Sequence, residues 1–499
     1  MKYRFHSGDF LDNYYRNNNI SVDDLDTSFF DIKKEEALLT FKKTFETLKN
    51  EKFLIVGDYD CDGICATAII KRLLTHLNIE HLFYIPSRSK EGYGLNDDIV
   101  KMAKKNNITV IFTVDNGASA YEPIELATSL DIKVMVLDHH EYVEQVECFG
   151  FIHPNLLSKP FQKLSAGCLA TLFSSLFYED ELSIVYGGLS IIGDVVGVLG
   201  YNRLLIKKMY EILNTGRIYQ MNLLNESSKF DAHSINYFCI PKINAVSRLD
   251  YNSNLLVKYL LGDYAYCLKE INTITKINNE RKSLSSKLSK DILNNYDKSK
   301  KINIIVGEDY LEGICGLIAN RIMYSTGKPT IVFNKKDGIL KGSGRSPEGF
   351  NIYEYLKVKE DLFLTFGGHE NACGLSLNEE KFAYLCAYID DCDIEIKEVY
   401  EDVYLIDINN VNFDLLSKIK KLEPFGVDLK EPLLAIKDFE YQNKTLVSNR
   451  FSKYFINDQL SAISFKNGDL NKEFEGFIGH IEEDTYRKNA LVFTIEDFI

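Results

Sequence analysis

The chain has 499 residues, 45% of them hydrophobic, with 9 prolines, 30 glycines and a formal charge of −14. At about 150 residues per domain this makes roughly three packed domains, and disorder or a collagen-like architecture is excluded. The acidic balance excludes a general affinity for phosphate backbones through net charge, so a nucleic-acid site has to be a local patch or be built around bound cations.

Residues 1–50 read as a short polar lead followed by a helix over IKKEEALLTFKKTFETLKN, whose apolar residues recur at helical spacing. The opening MKYRFHSGDF carries no apolar signal core and no apolar run is long enough for a membrane span, so a cytoplasmic protein is expected. From 51 to 200 short apolar runs alternate with helical segments: FLIVGDYD, GICATAIIKRLLTHLN, HLFYIP, DDIVKMAKKN, ITVIFTVDNG, YEPIELATSL and IKVMVLDHH. That alternation predicts β-α-β units and a parallel sheet. Residues 201–300 are mainly helical. The stretch 263–296 lacks Pro and Gly and predicts one helix of about 45 Å, at 1.5 Å per residue, bridging two domains. A second α/β unit over 301–395 runs from KINIIVGEDY through GKPTIVFNKK and GILKGSGRS to FGGHENACGLSL. Over 396–499 the strands become short and closely spaced, and a small β-barrel or sandwich is predicted. The ten cysteines are scattered without a CxxC pair and read as reduced thiols.

The aspartates mark the chemistry. FLIVGDYDCDG runs an apolar strand into Asp58, Asp60 and Asp62, and a spacing of two puts three carboxylates on one face of extended backbone. VIFTV ends in Asp115, VMVL ends in Asp138, His139 and His140, and Asp194 interrupts the apolar segment SIIGDVVG. Ligands of open parallel sheets bind at the carboxyl ends of the strands. One acid after one strand is often only a turn residue or a helix N-cap; three strand ends carrying acids, one of them followed by two histidines, are hard to explain that way. Several carboxylates with one or two imidazoles suit a pair of Mn²⁺ or Mg²⁺ ions. Such a pair can clamp the attacking and leaving oxygens of a phosphoester, which predicts phosphodiester hydrolysis.

GDYDCDG, VDNG, DHH and GD, in that order, resemble the four motifs of the DHH phosphoesterase superfamily. IPSRSKEGYGL, INAVSRL, NNERK, EGICGLIANRI, KGSGRS, FGGHENACGLSL and LEPFG narrow the resemblance to its RecJ family of single-strand-specific 5′→3′ exonucleases. The resemblance implies an α/β fold: a parallel-sheet DHH domain, a long connecting helix, a second α/β DHH-associated domain and a C-terminal OB-fold barrel. It implies that Asp60, Asp62, Asp115, His139 and Asp194 coordinate two divalent ions, with Asp58 as a ligand or outer acceptor. Asp138 would orient an imidazole, His140 would sit against the scissile phosphate, and His369 would face the cleft from the second domain. Arg88, Arg248, Ser343, Arg345 and Ser346 resemble a pocket for a 5′-terminal phosphate, which planar Arg forks suit. For tracking single strands along the barrel the candidates are Arg450, Phe451, Lys453 and Tyr454, although aromatic residues of a small barrel are more often core.

His153 stands where the family commonly has Asn, and Ser247 where it has Gly, which leaves the detail of the pocket open. The expected role is DNA repair and recombination, by a monomer, on single-stranded DNA, with a single-strand-binding protein or a helicase as further partners. Two alternatives remain at this point: a phosphodiesterase for short oligonucleotides or dinucleotides, and a non-catalytic DNA-binding replication scaffold.

Overall fold

The computed structural model describes residues 2–27, 30–308, 310–391, 394–447, 451–465, 474–484 and 486–499. The chain divides into two units, one of Met1–Phe29, Gly197–Gly200 and Glu398–Ile499, the other of Phe30–Val196 and Tyr201–Lys397. The expected leader of residues 1–50 is therefore split. Where the sequence suggested a polar lead there is a strand, β1 (Lys2–His6), and a short helix, Phe10–Asn17, and both belong to the unit that holds the C-terminus.

In the larger unit, β2 (Phe53–Gly57), β3 (His81–Tyr84), β4 (Val110–Val114), β5 (Lys133–Leu137) and β6 (Gly150–Ile152) form an all-parallel sheet in the order β3-β2-β4-β5-β6. β2 and β4 are buried at every position, because helices cover both faces and leave no solvent side for polar residues. Phe41 and Phe45 of the helix Glu36–Glu46 pack on Phe53, Phe112 and Phe173. Leu54, Val56, Ile111, Val134 and Val136 form a second cluster with Ile99, Val100 and Ile124. The chain crosses the sheet between β3 and β4, so the strand order reverses at the β2/β4 pair and opens a crevice at the carboxyl ends of those two strands.

The predicted long helix is continuous over Tyr264–Asn295, 32 residues, or about 48 Å. It leads into β7 (Asn303–Glu308), β8 (Thr330–Lys336), β9 (Ile339–Arg345), β10 (Thr365–His369) and β11 (Ala372–Asn378), a mixed sheet in the order β10-β11-β9-β8-β7. Only β7 and β8 are parallel.

The smaller unit contains β12 (Tyr400–Leu405), β13 (Leu433–Lys437), β14 (Asn443–Val447), β15 (Phe451–Phe455), β16 (Leu460–Ser464), β17 (Gly476–Glu483) and β18 (Leu491–Phe498). With β1 they make an eight-stranded sheet in the order β1-β12-β13-β17-β18-β16-β15-β14. β1 pairs parallel with β12, Lys2 opposite Tyr400 and His6 opposite Tyr404. Among the described residues no helix is long and apolar enough to cross a membrane, and the nine described cysteines are free.

Candidate metal centre

The backbone turns out of extended geometry as soon as β2 ends, and this corrects the expectation that Asp58, Asp60 and Asp62 share one face of a strand. Asp60 is the N-cap of the helix Cys61–His76, its Oδ1 accepting from the N–H groups of Asp62 and Gly63, and Asp62 lies in the first helical turn. The turn is tight enough that a Cβ on Gly63 would stand 2.6 Å from the backbone of Asp58. Asp60 thus caps a helix and stands among the candidate ligands at the same time. Asp115, directly after β4, has φ +62°, and Asp194 is the C-cap of the helix Glu181–Gly193.

These turns bring the acids from separate elements together. Asp58, Asp60 and Asp115 form one group whose ligand atoms lie within 4.8 Å of one another; Asp62, His139 and Asp194 form a second, and Asp115, His139 and His140 a third. His139 Nε2 lies 3.2 Å from Asp115 Oδ1, 3.5 Å from Asp194 Oδ2 and 3.6 Å from Asp62 Oδ2. Asp115 therefore faces both of the other groups. Asp138 does not join the acids but serves the imidazole beside them: Oδ1 pairs with His140 Nδ1 at 2.8 Å and accepts from the His139 N–H at 2.8 Å, and Oδ2 accepts from the Ala118 N–H.

The electrostatics are dominated by buried carboxylates. Burial, reinforced by neighbouring carboxylates, pushes Asp58 and Asp115 well above the usual range and pushes Asp62 and Asp194 up to about 7. Burial holds the His139 imidazole below its usual value, hence neutral. For His140 burial acts in the same direction, but the hydrogen bond and charge of Asp138, together with the charges of Asp194 and Asp58, outweigh it and raise the ring to about 9. Asp58 Oδ1, Asp115 Oδ1 and His139 Nε2 are all buried without a hydrogen-bond partner. A buried polar atom left unpaired is costly; three that converge on one space, with oxygen-rich donors and a neutral imidazole, fit divalent cations.

Arg88, Ser247, Arg248 and Lys341 line one cavity in the same unit. Burial lowers the Arg248 guanidinium to about 10, with Arg88 and Arg281 adding repulsion, and burial also lowers Arg345. Among the described residues none of Arg88, Arg248 and Arg345 makes an ion pair; Arg248 donates to Gly313 O, Arg345 to Gly344 O, and Arg88 lies over the Tyr59 ring. Ser343 and Arg345 both face Gly316, where a Cβ would meet Arg345 Nη2 at 2.9 Å. Ser346 differs: its buried hydroxyl donates to Phe350 O at 2.6 Å and fastens a turn. His369 ends the edge strand β10, exposed, with no hydrogen bond or ion pair to the acids.

In the smaller unit Tyr454 is 2% exposed and packed among Tyr441, Phe474, Phe477 and Phe498, so its ring is core and cannot stack on a base. Lys453 pairs with Asp484 at 3.6 Å, and Phe451 packs edge-on against Phe465. Arg450 lies outside the described residues.

Three contributors went unread in the sequence. Tyr93 donates its hydroxyl to Asp115 O at 2.6 Å and lies 3.0 Å from His140 Nδ1. Asn116 donates to Val56 O and Val114 O, tying the ends of β2 and β4 together. The N–H groups of Ala166 and Gly167, opening the helix Ala166–Ser174, donate to the Asp62 carboxylate at 2.8 and 2.7 Å. The GYG and DNG motifs pointed at the first two; nothing local points at the third, because residue 166 meets residue 62 only through the fold.

Residues 52–187 match the model of the DHH family, N-terminal domain, residues 299–392 that of the DHHA1 domain and residues 404–497 that of the RecJ OB domain. The single-stranded-DNA-specific exonuclease RecJ of Bacillus subtilis is 27% identical over 454 residues, 85% of this chain and 57% of its own length. Its Salmonella typhimurium counterpart is 30% identical over 373 residues, covering 66% and 64%. The chain thus spans less than two thirds of either relative. Among solved structures, Thermus thermophilus RecJ in complex with Mn²⁺ superposes with a TM-score of 0.85 at 22% identity, over 100% of this chain and 79% of that one. An exonuclease RecJ bound to manganese gives 0.63 at 25% identity, over 72% and 95%.

Proposed function

We propose, from the match of residues 52–187, 299–392 and 404–497 to the DHH, DHHA1 and RecJ OB models in that order, that the chain is a DHH-family, metal-dependent exonuclease hydrolysing single-stranded DNA from the 5′ end. The observation that carries the reading is the convergence of three unpartnered buried atoms, on Asp58, Asp115 and His139, at the strand-order reversal of a parallel sheet. Asp58, Asp60 and Asp115 would hold one Mn²⁺ or Mg²⁺ ion, and Asp62, His139 and Asp194 the other, with Asp115 between them. When bound, such a pair lowers the pKa of a water and draws charge from the phosphoester oxygens.

The protein's own groups do the rest. His139, held neutral, offers a nitrogen lone pair. His140, held cationic at neutral pH by Asp138, presents an N–H to a phosphate oxygen whose charge grows during displacement. Burial opposes the ionised form of Asp138, but the hydrogen bond and charge of His140, with the Ala118 N–H and the charge of His139, together outweigh it and hold the carboxyl below its usual value. A terminal phosphate would relieve the mutual repulsion of Arg88, Arg248 and Arg345, and so fixes which end of the strand is read. Ser343 would assist them, and His369 would approach from β10 once substrate is bound. We assign catalysis to residues 51–200, the link to 201–300, terminal-phosphate binding to 301–395 and strand contact to 396–499. Single-stranded DNA is the partner in this reading, with a single-strand-binding protein or a helicase beside it, in DNA repair and recombination in the cytoplasm.

The test is digestion of a 3′-labelled single strand bearing a 5′ phosphate, with Mn²⁺, Mg²⁺ or EDTA, beside a duplex and a 5′-hydroxyl strand. Metal-dependent shortening from the 5′ end of single strands is expected, abolished in Asp115→Ala. Arg88→Ala should slow the 5′-phosphate strand about tenfold or more, the worth of one charge-assisted contact, and leave the 5′-hydroxyl strand nearly unchanged. Hydrolysis of dinucleotides with no attack on long strands would sink the proposal.

A further inference from the structure

The helical segment between the two sheets of the larger unit carries an exposed aromatic surface that the metal centre does not use. Its origin is local. Pro241 has no N–H to give to the carbonyl of Tyr237, four residues back, and its ring crowds that carbonyl, so an α-helix cannot run through this point unaltered. The turn widens instead: over Ile235–Cys239 the bond closes one residue later, the Ile240 N–H donating to Ile235 O. Widened turns of this kind occur frequently at functional sites.

The turn keeps Ile235 and Cys239 buried and sends Tyr237 outward, 60% exposed. His233, exposed as well, lies along it with ring centroids 5.3 Å apart and planes 11° from parallel, and Phe238 meets both rings edge-on. The Lys282 ammonium, from the helix Tyr264–Asn295, stands over the Tyr237 ring at 5.7 Å. The acids around it are engaged elsewhere: Glu226 pairs with Lys242 at 2.8 Å and Asp231 with Lys229 at 3.1 Å. Among the described residues Lys282 makes no ion pair. An ammonium held only by a ring can turn to a phosphate for the loss of one weak contact.

Stacked rings beside such an ammonium match the two parts of a nucleotide, a flat base and an anionic phosphate. A protein partner fits less well, because three rings bordered by exposed Asn236 and Lys282 make a smaller patch than the roughly 800 Å² per partner of a stable interface. We propose that His233, Tyr237 and Lys282 form a single-strand contact site on the larger unit, a base stacking on the ring pair and Lys282 taking a neighbouring phosphate. The site presupposes that the chain acts on single-stranded DNA, and it adds to the strand contacts of residues 396–499, where Tyr454 is core.

The experiment is fluorescence anisotropy of a 3′-labelled single-stranded oligonucleotide with the full chain in EDTA, which prevents hydrolysis. Wild type, Tyr237→Ala, Tyr237→Phe and Lys282→Ala are compared, each checked for folding by circular dichroism. Tyr237→Ala should bind about tenfold more weakly, the scale of one stacked base, and Tyr237→Phe should stay near the wild type. Lys282→Ala should make the salt dependence shallower by about one phosphate contact. Strands with a 5′ phosphate and with a 5′ hydroxyl should weaken alike, unlike in Arg88→Ala. If Tyr237→Ala does not fold, the salt dependence of Lys282→Ala decides. Wild-type affinity and salt dependence in both Tyr237→Ala and Lys282→Ala, which would leave the rings to a protein partner, overturn the site, as does equal weakening by Tyr237→Phe and Tyr237→Ala. A wild type that shortens strands with Mn²⁺ yet binds none in EDTA overturns the site alone. A wild type that does neither overturns the exonuclease reading and the site with it.

Discussion

At Asp115 function and stability pull in opposite directions. Its carboxyl is 2% exposed and repelled by Asp62, Asp60 and Asp58, and its backbone sits at φ +62°. Without cations the folded chain has to keep that group protonated or bear the repulsion. Asp115→Asn should therefore raise the metal-free unfolding temperature, by on the order of 1–3 kcal/mol of stability, the scale for relieving a buried uncompensated charge. Mn²⁺ should raise the melting temperature of the wild type by mass action and barely move that of the variant. Equal metal-induced shifts in scanning calorimetry would contradict it. At this scale the sequence was partly legible. The acids that converge could be named because each follows an apolar strand or ends an apolar helix, but their grouping could not: Asp58 and Asp62 are four apart and fall in different groups. Tyr454 shows the converse, since an aromatic beside Lys453 reads equally well as a stacking surface or as core, and only packing decides.

At the scale of elements, the helices behind the site are fixed by their ends. Asp180 caps the helix Glu181–Gly193, accepting from the Ser183 N–H, and forms a two-pronged pair with Arg72 of the helix Cys61–His76, at 2.6 and 2.7 Å. Both helices carry acids of the buried cluster, Asp194 and Asp62, so this pair helps to set their separation. Burial opposes the ionised form of Asp180, but the Arg72 and Ser183 hydrogen bonds outweigh it and leave the carboxyl below its usual value. A carboxyl lowered by folding adds stability that is complete above its unfolded pKa of about 4 and disappears as pH falls through the lower folded value. Asp180→Asn keeps an acceptor oxygen for the Ser183 N–H and so keeps the cap, and should cost about 1 kcal/mol at pH 7 through the lost, half-screened ion pair with Arg72. The gap between variant and wild type in thermal melts should narrow as pH falls below the unfolded value of about 4; a gap that does not narrow would refute the assignment. The parallel sheet and the long helix were legible because fully buried strands read as unbroken apolar runs and because residues 263–296 lack Pro and Gly. The ends of β2 were not, since the change from strand to helix period falls inside the acidic motif. β1 was not legible either: five residues, KYRFH, with a partner on the other side of the chain, give no local signal.

At the scale of the whole molecule, sequence and architecture run in different orders. β1 closes one edge of the smaller unit's sheet, backed by the Tyr3–Asp497 hydrogen bond at 3.0 Å and by Tyr14 donating to Lys430 O at 2.6 Å. Deleting residues 2–6 should bare the backbone edge of β12 and lower the unfolding temperature of that unit. The larger unit, whose sheets take no strand from residues 1–29, should melt as before. Calorimetry with domain-resolved proteolysis reads this; a uniform shift of both transitions would count against it. Binding of single strands should weaken steeply with salt despite the charge of −14, because phosphate contacts release counterions wherever the local patch is basic.

The β1–β12 pairing also constrains how the protein is made. His6 and Asp402 are joined at 2.7 Å but stand 396 positions apart. At about 5–20 residues per second on the ribosome, β1 emerges on the order of 20–80 s before its partner strand exists. Through that interval the larger unit can already have folded while the nascent strand waits unpaired. Ribosome stalling or premature termination before residue 400 would then release a chain with a folded acidic cluster and an orphan strand, a species suited to chaperone capture or to aggregation rather than to work.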